Sequence, residues 1–251
     1  MMRQRNKITI GLIVWALMSS SLYAGAAVEA ALKTQADVNV GNLPAWMSIT
    51  LPEDIQNNVQ NKGKGLAQRL KLDDESKEAK VAALLAQHYG RVWAWHQQVD
   101  EKLDAAWKAW DEARNSNSAA GKDELKALTI MVEQIDPIYA EFAPQIHWSL
   151  QALRQELTEE QVITILDHIT SKLGVDRTYN AYCDMVPELK ENEKQIIRQR
   201  LEQARIDSLA AWKGDRIIKI FKKYKVRNEF SIDYFGYGYR EHYKAWVNRG
   251  K

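Results

Sequence analysis

A long amphipathic stripe constrains the fold of this chain more than any other feature. Between residues 78 and 113, apolar residues and one histidine recur at steps of three and four. The members of the stripe are Val81, Leu85, His88, Val92, Trp95, Val99, Leu103, Ala106 and Trp110. This spacing places them all on one face of an α-helix, and an apolar face of this length is buried in a folded protein. The sequence therefore predicts a long helix with a buried seam.

Helical spacing also dominates the rest of the chain, and strand-like alternation is almost absent. Acidic residues precede several amphipathic runs, where Asp73 or Thr158 can cap the free amides of the first turn. The further predicted helices are residues 123–157 with interruptions near Pro137 and Pro144, 159–172, 177–186, 191–212 and a short segment at 216–224. We therefore expect an all-α fold, a bundle of about five to seven helices.

The C-terminal stretch "EFSIDYFGYGYREHYKAW" differs from the helical segments before it. Aromatic rings are dense here, and Gly236 and Gly238 flank Tyr237. Glycine is unfavourable inside a helix, so a long regular helix is not expected across these residues. We expect an irregular aromatic tail that lies on the helical body.

Residues 1–26 have the pattern of a secretory signal peptide. A basic start is followed by the apolar run "ITIGLIVWALMSSSLYAGA", which ends in the small-residue cleavage pattern Ala24-Gly25-Ala26. The basic residues are Arg3, Arg5 and Lys7. Cleavage near Ala26 would release a periplasmic or secreted protein with no further membrane contact.

The mature chain is expected to form a single helical domain over residues 27–251. Residues 52–212 would form its helical body, and residues 213–251 a basic, aromatic C-terminal segment. Cys183 is the one cysteine in the sequence, which excludes an internal disulfide. The stability of the domain must therefore come from its apolar core.

Charge is unevenly distributed along the mature chain. Residues 212–251 hold 11 Lys and Arg against 4 Asp and Glu, whereas residues 27–211 hold 21 basic and 29 acidic groups. A basic end of this kind attracts anions. Secretion argues against nucleic acid as a partner, which leaves acidic polysaccharide, phosphate headgroups and the protein's own acidic body. A second copy of the chain, in a homodimer, is a further partner to consider.

Motifs for metal, cofactor or catalytic chemistry are missing from the sequence. His88 and His96 are too far apart along one helix to bind the same metal ion directly. The chain has no glycine-rich phosphate loop, no G-x-S-x-G elbow and no H-E-x-x-H pair. We expect no metal and no cofactor, and the sequence does not identify catalytic residues.

Aromatic side chains give a more specific indication, because sugar rings pack their C–H faces on aromatic rings while polar side chains bind the hydroxyls. Tyr89, Trp93 and His96 lie off the apolar seam of the long helix and are candidates for ligand contact. The alternative for each is packing between helices, which is also the use favoured for the aromatic rings of the C-terminal tail.

Several blocks of the chain together resemble a known family, the domain of unknown function 3826. The blocks are "AQRLKLDDESKEAKVAALLAQHYGRVWAWH", "IDPIYAEFAPQI", "LTEEQVITILDHIT", "TYNAYCDMVPELKENEKQIIRQRLEQAR" and "FKKYKVRNEFSIDYFGY". The resemblance covers nearly the whole mature chain. It implies a secreted, carbohydrate-binding protein, mostly found in Bacteroidetes and set among systems that degrade polysaccharides, often pectic ones.

The resemblance also suggests which residues would bind an acidic glycan. Lys225 and Arg227 would pair with a uronate carboxylate, Asn228 would bind hydroxyls, and Tyr234 or Tyr237 would stack on a sugar ring. The full predicted set of ligand-binding residues is Lys225, Arg227, Asn228, Tyr234, Tyr237, Tyr89, Trp93, His96, Tyr179 and Tyr182.

Two other functions remain open alternatives at this point. The run "LTEEQ" is similar to the L-T-x-x-Q motif of periplasmic stress chaperones, which are small helical proteins that hold unfolded clients. An enzyme acting on pectic sugars, a lyase or an esterase, is the other alternative. Lysine, arginine and tyrosine side chains at the basic end would supply the base and the carboxylate partner that a lyase needs.

Overall fold

The computed structural model describes residues 44–115, 123–170 and 174–249. Every regular element in these residues is helical, which confirms the all-α fold. None of the described helices combines the length and apolarity needed to cross a membrane. The predicted signal peptide and its cleavage point near Ala26 lie outside the described residues.

The described chain contains a short 3₁₀ helix followed by a series of α-helices. In chain order these are the 3₁₀ helix Ala45–Ser48, α1 Glu53–Gln68, α2 Glu75–Arg114, α3 Glu124–Ile130, α4 Asp136–Glu156, α5 Glu159–Thr170, α6 Val175–Met185, α7 Glu191–Asp207, α8 Gly214–Tyr234 and α9 Tyr239–Asn248. A π-helical turn, Met131–Ile135, joins α3 to α4, and a 3₁₀ turn, Ser208–Ala210, follows α7.

The long helix predicted from the apolar stripe is α2, and its first turn is capped by an acidic residue. The capping residue is Asp74, not Asp73, since the Asp74 carboxylate accepts a hydrogen bond of 3.0 Å from the Lys77 amide. The predicted interruption near Pro137 is the π-helical turn that precedes it. Pro144 lies inside α4 without ending the helix.

The described residues fall into two compact units. The first unit contains the described residues of 44–169 and 207–216. The second unit contains the described residues of 170–206 and 217–249. The first unit is built on α2, which packs against α1, α3 and α4. The second unit is built from α6, α7, α9 and most of α8.

The stripe on α2 forms the core of the first unit, as its spacing predicts. Val81, Trp95 and Leu103 are fully buried, and the Trp95 ring stacks on that of Phe142 in α4 with centroids 4.8 Å apart. The helix α1 approaches α2 closely at Gly63. A Cβ atom at this position would clash with the Ala82 carbonyl and lie 2.9 Å from the Ala86 amide nitrogen.

The second unit has a separate core, and several C-terminal aromatic residues pack against it. Its buried residues include Tyr182 on α6, Ile197 and Leu201 on α7 and Ile232 on α8. The rings that pack partly buried against this core are Tyr179, Phe235, Tyr237, Tyr239 and Trp246. Most rings of the C-terminal stretch therefore cover the core of the unit in which they lie.

The expected irregular tail is wrong, although the predicted break at the glycines is right. The helix α8 ends in a Schellman motif, in which the Tyr237 amide bonds the Ile232 carbonyl at 3.1 Å and the Gly236 amide bonds the Asp233 carbonyl at 3.0 Å. Gly236 supplies the positive φ of +96° that this motif requires. Because the motif ends α8 within a few residues, α9 can begin at Tyr239.

Candidate functional site

A lysine of α1 lies on the face of a tyrosine of α2 in the first unit. Lys62 Nζ is 3.7 Å from the centroid of the Tyr89 ring and 5.6 Å from that of the Trp212 ring. The adjacent Gly63 allows this approach, because it lets α1 come close to the backbone of α2. Burial lowers the pKa of Lys62 to about 8. Among the described residues, no carboxylate forms an ion pair with Lys62.

A second cation of the first unit is held in a similar way. The guanidinium carbon of Arg91 lies 4.5 Å from the centroid of the Trp148 ring, and Nη1 donates a 2.7 Å hydrogen bond to Gln145 Oε1. Burial lowers the pKa of Arg91 as well. Its partners in the described part of the chain are a neutral amide and a ring, and no carboxylate pairs with it there.

A chain of buried hydrogen bonds continues inward from Arg91. Gln145 Nε2 donates to Ser149 Oγ at 2.9 Å, and Ser149 Oγ lies 2.9 Å from His88 Nδ1. His88 Nε2 lies 2.9 Å from the Leu209 carbonyl oxygen, which can only accept. The proton of a neutral His88 is therefore on Nε2, and the Ser149 hydroxyl donates to Nδ1.

Both cations contribute to the electrostatic environment of His88. The pKa of His88 is lowered to about 4, mainly by burial and to a smaller extent by the positive charges of Lys62 and Arg91, while the bond to the Leu209 carbonyl opposes the shift. His88 is thus neutral at physiological pH. We call this group of residues the Lys62–Arg91 cluster; its members are Lys62, His88, Tyr89, Arg91, Gln145, Trp148, Ser149 and Trp212.

The chemistry of the cluster suits a ligand that carries both negative charge and an apolar face. Lys62 and Arg91 supply two positive charges with no carboxylate paired to them in the described residues. Trp148 and Trp212 are half-buried, so part of each indole is open to solvent. Rings beside a few placed polar groups are the common pattern of small-molecule sites.

The predicted site residues of the first unit only partly come together. Tyr89 belongs to the cluster and is buried, with a hydroxyl that bonds none of the described residues. Trp93 is half-buried on α2. His96 is buried, and its Nδ1 lies 2.6 Å from the Asp100 carboxylate while Nε2 lies 2.8 Å from the Ala210 carbonyl. The first contact stays within α2, and the second ties α2 to the 3₁₀ turn Ser208–Ala210.

In the second unit, Arg227 and Asn228 are buried. Arg200 Nη1 lies 3.1 Å from the Arg227 carbonyl and 3.4 Å from Asn228 Oδ1. Asn228 has no exposed surface, so a ligand would not reach its amide in this conformation. Lys225 is half-buried, and its carbonyl accepts a 3.3 Å hydrogen bond from the buried Tyr182 hydroxyl.

The predicted stacking rings of the second unit have different environments. The Tyr237 hydroxyl lies 2.8 Å from Glu193 Oε2 and bonds the Glu188 carbonyl at 3.0 Å. Tyr179 packs partly on the core, and the Arg198 guanidinium carbon lies 5.1 Å from its ring centroid. Tyr234 remains open, with 59% of its surface exposed.

Most members of the Lys62–Arg91 cluster were not predicted from the sequence. Lys62, Arg91, Trp148 and Trp212 lie in distant parts of the chain, and none belongs to a recognisable motif. The run "NKGKG" in α1 is the one stretch of sequence that indicates part of this site. Glycine is unfavourable in a helix interior, so its presence at position 63 indicates a close approach by another backbone.

The family model described as protein of unknown function (DUF3826) matches residues 56–251. This chain belongs to the DUF3826 family. No curated protein matches the chain. The match includes every residue of the Lys62–Arg91 cluster, and it confirms the family predicted from the sequence.

The described part of this DUF3826 protein contains no group of His, Cys, Asp and Glu side chains suited to hold a metal ion. Cys183 lies half-buried on α6.

Proposed function

We propose that this DUF3826 protein binds carbohydrate whose sugars carry carboxylates, as pectic glycans do, and that the Lys62–Arg91 cluster is the binding site. One observation carries the proposal. Two cations lie beside aromatic rings and, among the described residues, neither is paired with a carboxylate. A uronate residue would supply the missing negative charge and a C–H face for an indole ring.

Arg91 is the better placed of the two cations to orient a carboxylate. Its planar guanidinium has five N–H donors, and Nη1 bonds Gln145 Oε1 in the described structure. The ring of Trp148 and the buried Gln145 amide restrict its orientation, so little rotational freedom is lost on binding. A carboxylate held by such a fork forms short, charge-assisted hydrogen bonds.

The proposed site lies in the first unit, whereas the sequence predicts a site at the basic C-terminal end. At the C-terminal end, Arg227 and Asn228 are buried, and the Tyr237 hydroxyl is hydrogen bonded within the protein. Tyr234 and Lys225 keep surface on the second unit, and a secondary contact there stays a prediction. We also propose the expected setting, a periplasmic or secreted protein of a polysaccharide-utilising cell, on the pattern of residues 1–26.

The motif behind the chaperone alternative has a local role in this structure. The Thr158 amide bonds Gln161 Oε1 at 3.0 Å, and the Gln161 amide bonds Thr158 Oγ1 at 3.3 Å. This reciprocal pair is a capping box at the start of α5. The run "LTEEQ" is therefore accounted for by helix capping, and no other observation favours chaperone activity.

Calorimetric titration of the purified protein with oligogalacturonate tests the proposal. We expect saturable heat that decreases with added salt, and no heat with the fully methyl-esterified chain, which has lost its charges. Lys62→Met and Arg91→Met should each weaken binding about tenfold or more, because each removes a charge that is close to the ligand.

Lys64→Met is the matched control for the binding experiment. Lys64 lies two residues from Lys62 on α1, carries the same charge and is exposed. This substitution should leave the affinity nearly unchanged. Absence of binding by the unsubstituted protein, or an equal loss of affinity in Lys64→Met and Lys62→Met, would reject the cluster as the site.

A further inference from the structure

The buried hydrogen-bond chain behind Arg91 runs in one direction, from the interior of the first unit to the guanidinium. We infer that Gln145 is a positioning residue that fixes Arg91 for a carboxylate ligand and, because its side chain is a neutral amide, leaves the charge of the arginine to that ligand. This inference rests on the proposed binding of uronate-containing carbohydrate at Arg91. It makes Gln145 the residue that determines the selectivity of this position for anionic sugars.

The two ends of the chain determine its direction. The Leu209 carbonyl oxygen can only accept, so His88 donates to it from Nε2 at 2.9 Å, and Nδ1 of the neutral ring must accept. Ser149 donates its one hydroxyl proton to Nδ1 at 2.9 Å, so its oxygen is left to accept from Gln145. At the other end, the guanidinium of Arg91 can only donate.

The amide of Gln145 satisfies both of its neighbours in one orientation. Its Nε2 donates to the Ser149 hydroxyl oxygen at 2.9 Å, and its Oε1 accepts from Arg91 Nη1 at 2.7 Å. If the amide were reversed, its nitrogen would face the guanidinium, and two donors would meet. Gln145 is 2% exposed, so bulk water has little access to either bond. The position of the amide oxygen is therefore set from inside the protein.

This oxygen and one aromatic ring hold the guanidinium of Arg91. The guanidinium carbon lies 4.5 Å from the centroid of the Trp148 ring, and Nη1 is bonded to Gln145. Among the described residues these are its partners, so its other N–H groups remain for a ligand. A planar carboxylate can accept two parallel hydrogen bonds from the edge of a guanidinium.

The neutrality of the amide decides what Arg91 can bind. A carboxylate at position 145 would also hold Nη1, but it would cancel the positive charge in surroundings of low solvent exposure, where charges interact strongly. The charged groups that act on His88, at the inner end of the chain, are Lys62 from α1 and Arg91 itself, and both are positive. An amide oxygen therefore orients the arginine without competing with the negative charge of a ligand.

Gln145→Glu tests this role in the calorimetric titration with oligogalacturonate. The new side chain has nearly the same shape but places a carboxylate on Arg91, so the affinity should fall about tenfold or more, at least as far as in Arg91→Met. Gln145→Met removes the amide without adding a charge and should cost only about two- to tenfold, as for the ordering of one side chain. The matched control Gln97→Glu, at an exposed position of α2, should keep the affinity within about twofold.

A second readout follows the chain to its inner end. A carboxylate at position 145 would accept the Ser149 hydroxyl proton, which favours the charged form of His88, in which Nδ1 donates. The pKa of His88, lowered to about 4 mainly by burial, should therefore rise in Gln145→Glu. NMR titration of the ring measures this change. Gln97→Glu should leave the titration unchanged, and a role of Gln145 in packing alone would not move it.

Ser149→Ala tests the same chain without adding a charge. Ser149 bonds the Gln145 amide, and this substitution acts on Arg91 through that amide. Binding of oligogalacturonate should weaken by about two- to tenfold, because the amide is no longer held in one orientation. Full affinity in folded Ser149→Ala would overturn the inference, and this variant decides it if the buried charge of Gln145→Glu prevents folding.

The inference and the proposed binding fail in different ways. Binding by Gln145→Glu that is no weaker than binding by Gln145→Met, or an unchanged His88 titration in Gln145→Glu, would overturn the role of Gln145 and leave the proposed binding intact. Absence of heat from the unsubstituted protein would reject the binding, and the role of Gln145 with it. Circular dichroism and thermal unfolding would show which variants are folded.

Discussion

Ser149 Oγ lies 2.9 Å from His88 Nδ1, and this buried hydrogen bond fixes the direction of a polar chain in the first unit. The Ser149 hydroxyl donates to the ring while it accepts from the Gln145 amide. His88 in turn donates to the Leu209 carbonyl and so ties α2 to the 3₁₀ turn that follows α7. The stability of this arrangement depends on an uncharged imidazole.

Acidification should destabilise the protein through His88. The pKa of His88 is lowered from 6.5 to about 4 by burial, so the unfolded chain takes up this proton first as the pH falls. Between these two values the unfolded state binds more protons, and the free energy of unfolding decreases by up to about 1.4 kcal/mol per pH unit from this group. Urea denaturation across that window measures the slope.

His88→Leu is the comparison that isolates this contribution. The variant lacks the titrating ring, so its free energy of unfolding should depend less on pH between the same two values. Equal slopes for both proteins would show that His88 does not titrate as its burial implies.

Ser149→Ala should lower the free energy of unfolding by about 1 to 3 kcal/mol. Ser149 is buried, and its removal leaves the Gln145 amide without its acceptor and His88 Nδ1 without its donor. Ser48→Ala, at an exposed position, should change stability by no more than about 0.5 kcal/mol. Urea denaturation compares the two, and an equally small effect of both would contradict the polar chain.

Two glycines of α1 should respond to alanine in opposite directions. A Cβ at Gly63 would clash with the Ala82 carbonyl, so Gly63→Ala should cost about 1 to 3 kcal/mol by forcing α1 away from α2. A Cβ at Gly65 meets nothing within 4 Å, so Gly65→Ala should gain about 0.5 to 1 kcal/mol from helix propensity. Thermal unfolding of the two variants should show shifts of opposite sign.

Gly63→Ala also tests the position of Lys62. Because the same close approach places Lys62 on the Tyr89 ring, this variant should weaken oligogalacturonate binding, whereas Gly65→Ala should leave it unchanged. A stabilised Gly63→Ala protein would mean that the two helices do not pack as closely as described.

Two arginines of α7 should differ in their importance for the second unit. Arg200 is buried, and its Nη1 donates to the Ser231 hydroxyl at 2.6 Å and lies 3.1 Å from the Arg227 carbonyl. Arg200→Met should therefore lower the free energy of unfolding by about 2 to 4 kcal/mol. Arg198 pairs at the surface with Asp176, so Arg198→Met should cost less than about 1 kcal/mol. Urea denaturation that ranks the two variants in the other order would contradict the buried role of Arg200.

Local spacing was enough to predict the long helix and the end of α8. Val81, Trp95 and Trp110 follow a helical period, and periodicity reports which face of a helix is buried whatever its partner is. Gly236 marks a helix end because a positive φ is needed there. The predicted interruption of the helix near Pro144 is wrong. Its helix continues through it, with Phe142 and Ile146 buried on either side.

The candidate site could not be assembled from such local signals. Tyr89 was among the predicted residues, but Lys62, Arg91 and Trp148 have no motif that connects them. Arg227 and Asn228 were predicted as ligand contacts because of their charge and hydrogen-bonding groups. Helical spacing places these two polar residues beside apolar residues of α8, and both kinds are buried. The charge pattern of the sequence does not indicate that these two side chains are buried.

The sequence by itself determined the helical class, the seam of α2, the glycine break before α9 and the family. Each of these depends on residues that are close in the chain or on a pattern of blocks along it. The tertiary structure alone decided which polar residues are buried and which cations have no carboxylate partner within the described residues. Those properties depend on contacts between segments far apart in sequence, such as Lys62 with Trp212, and local spacing carries no information about them.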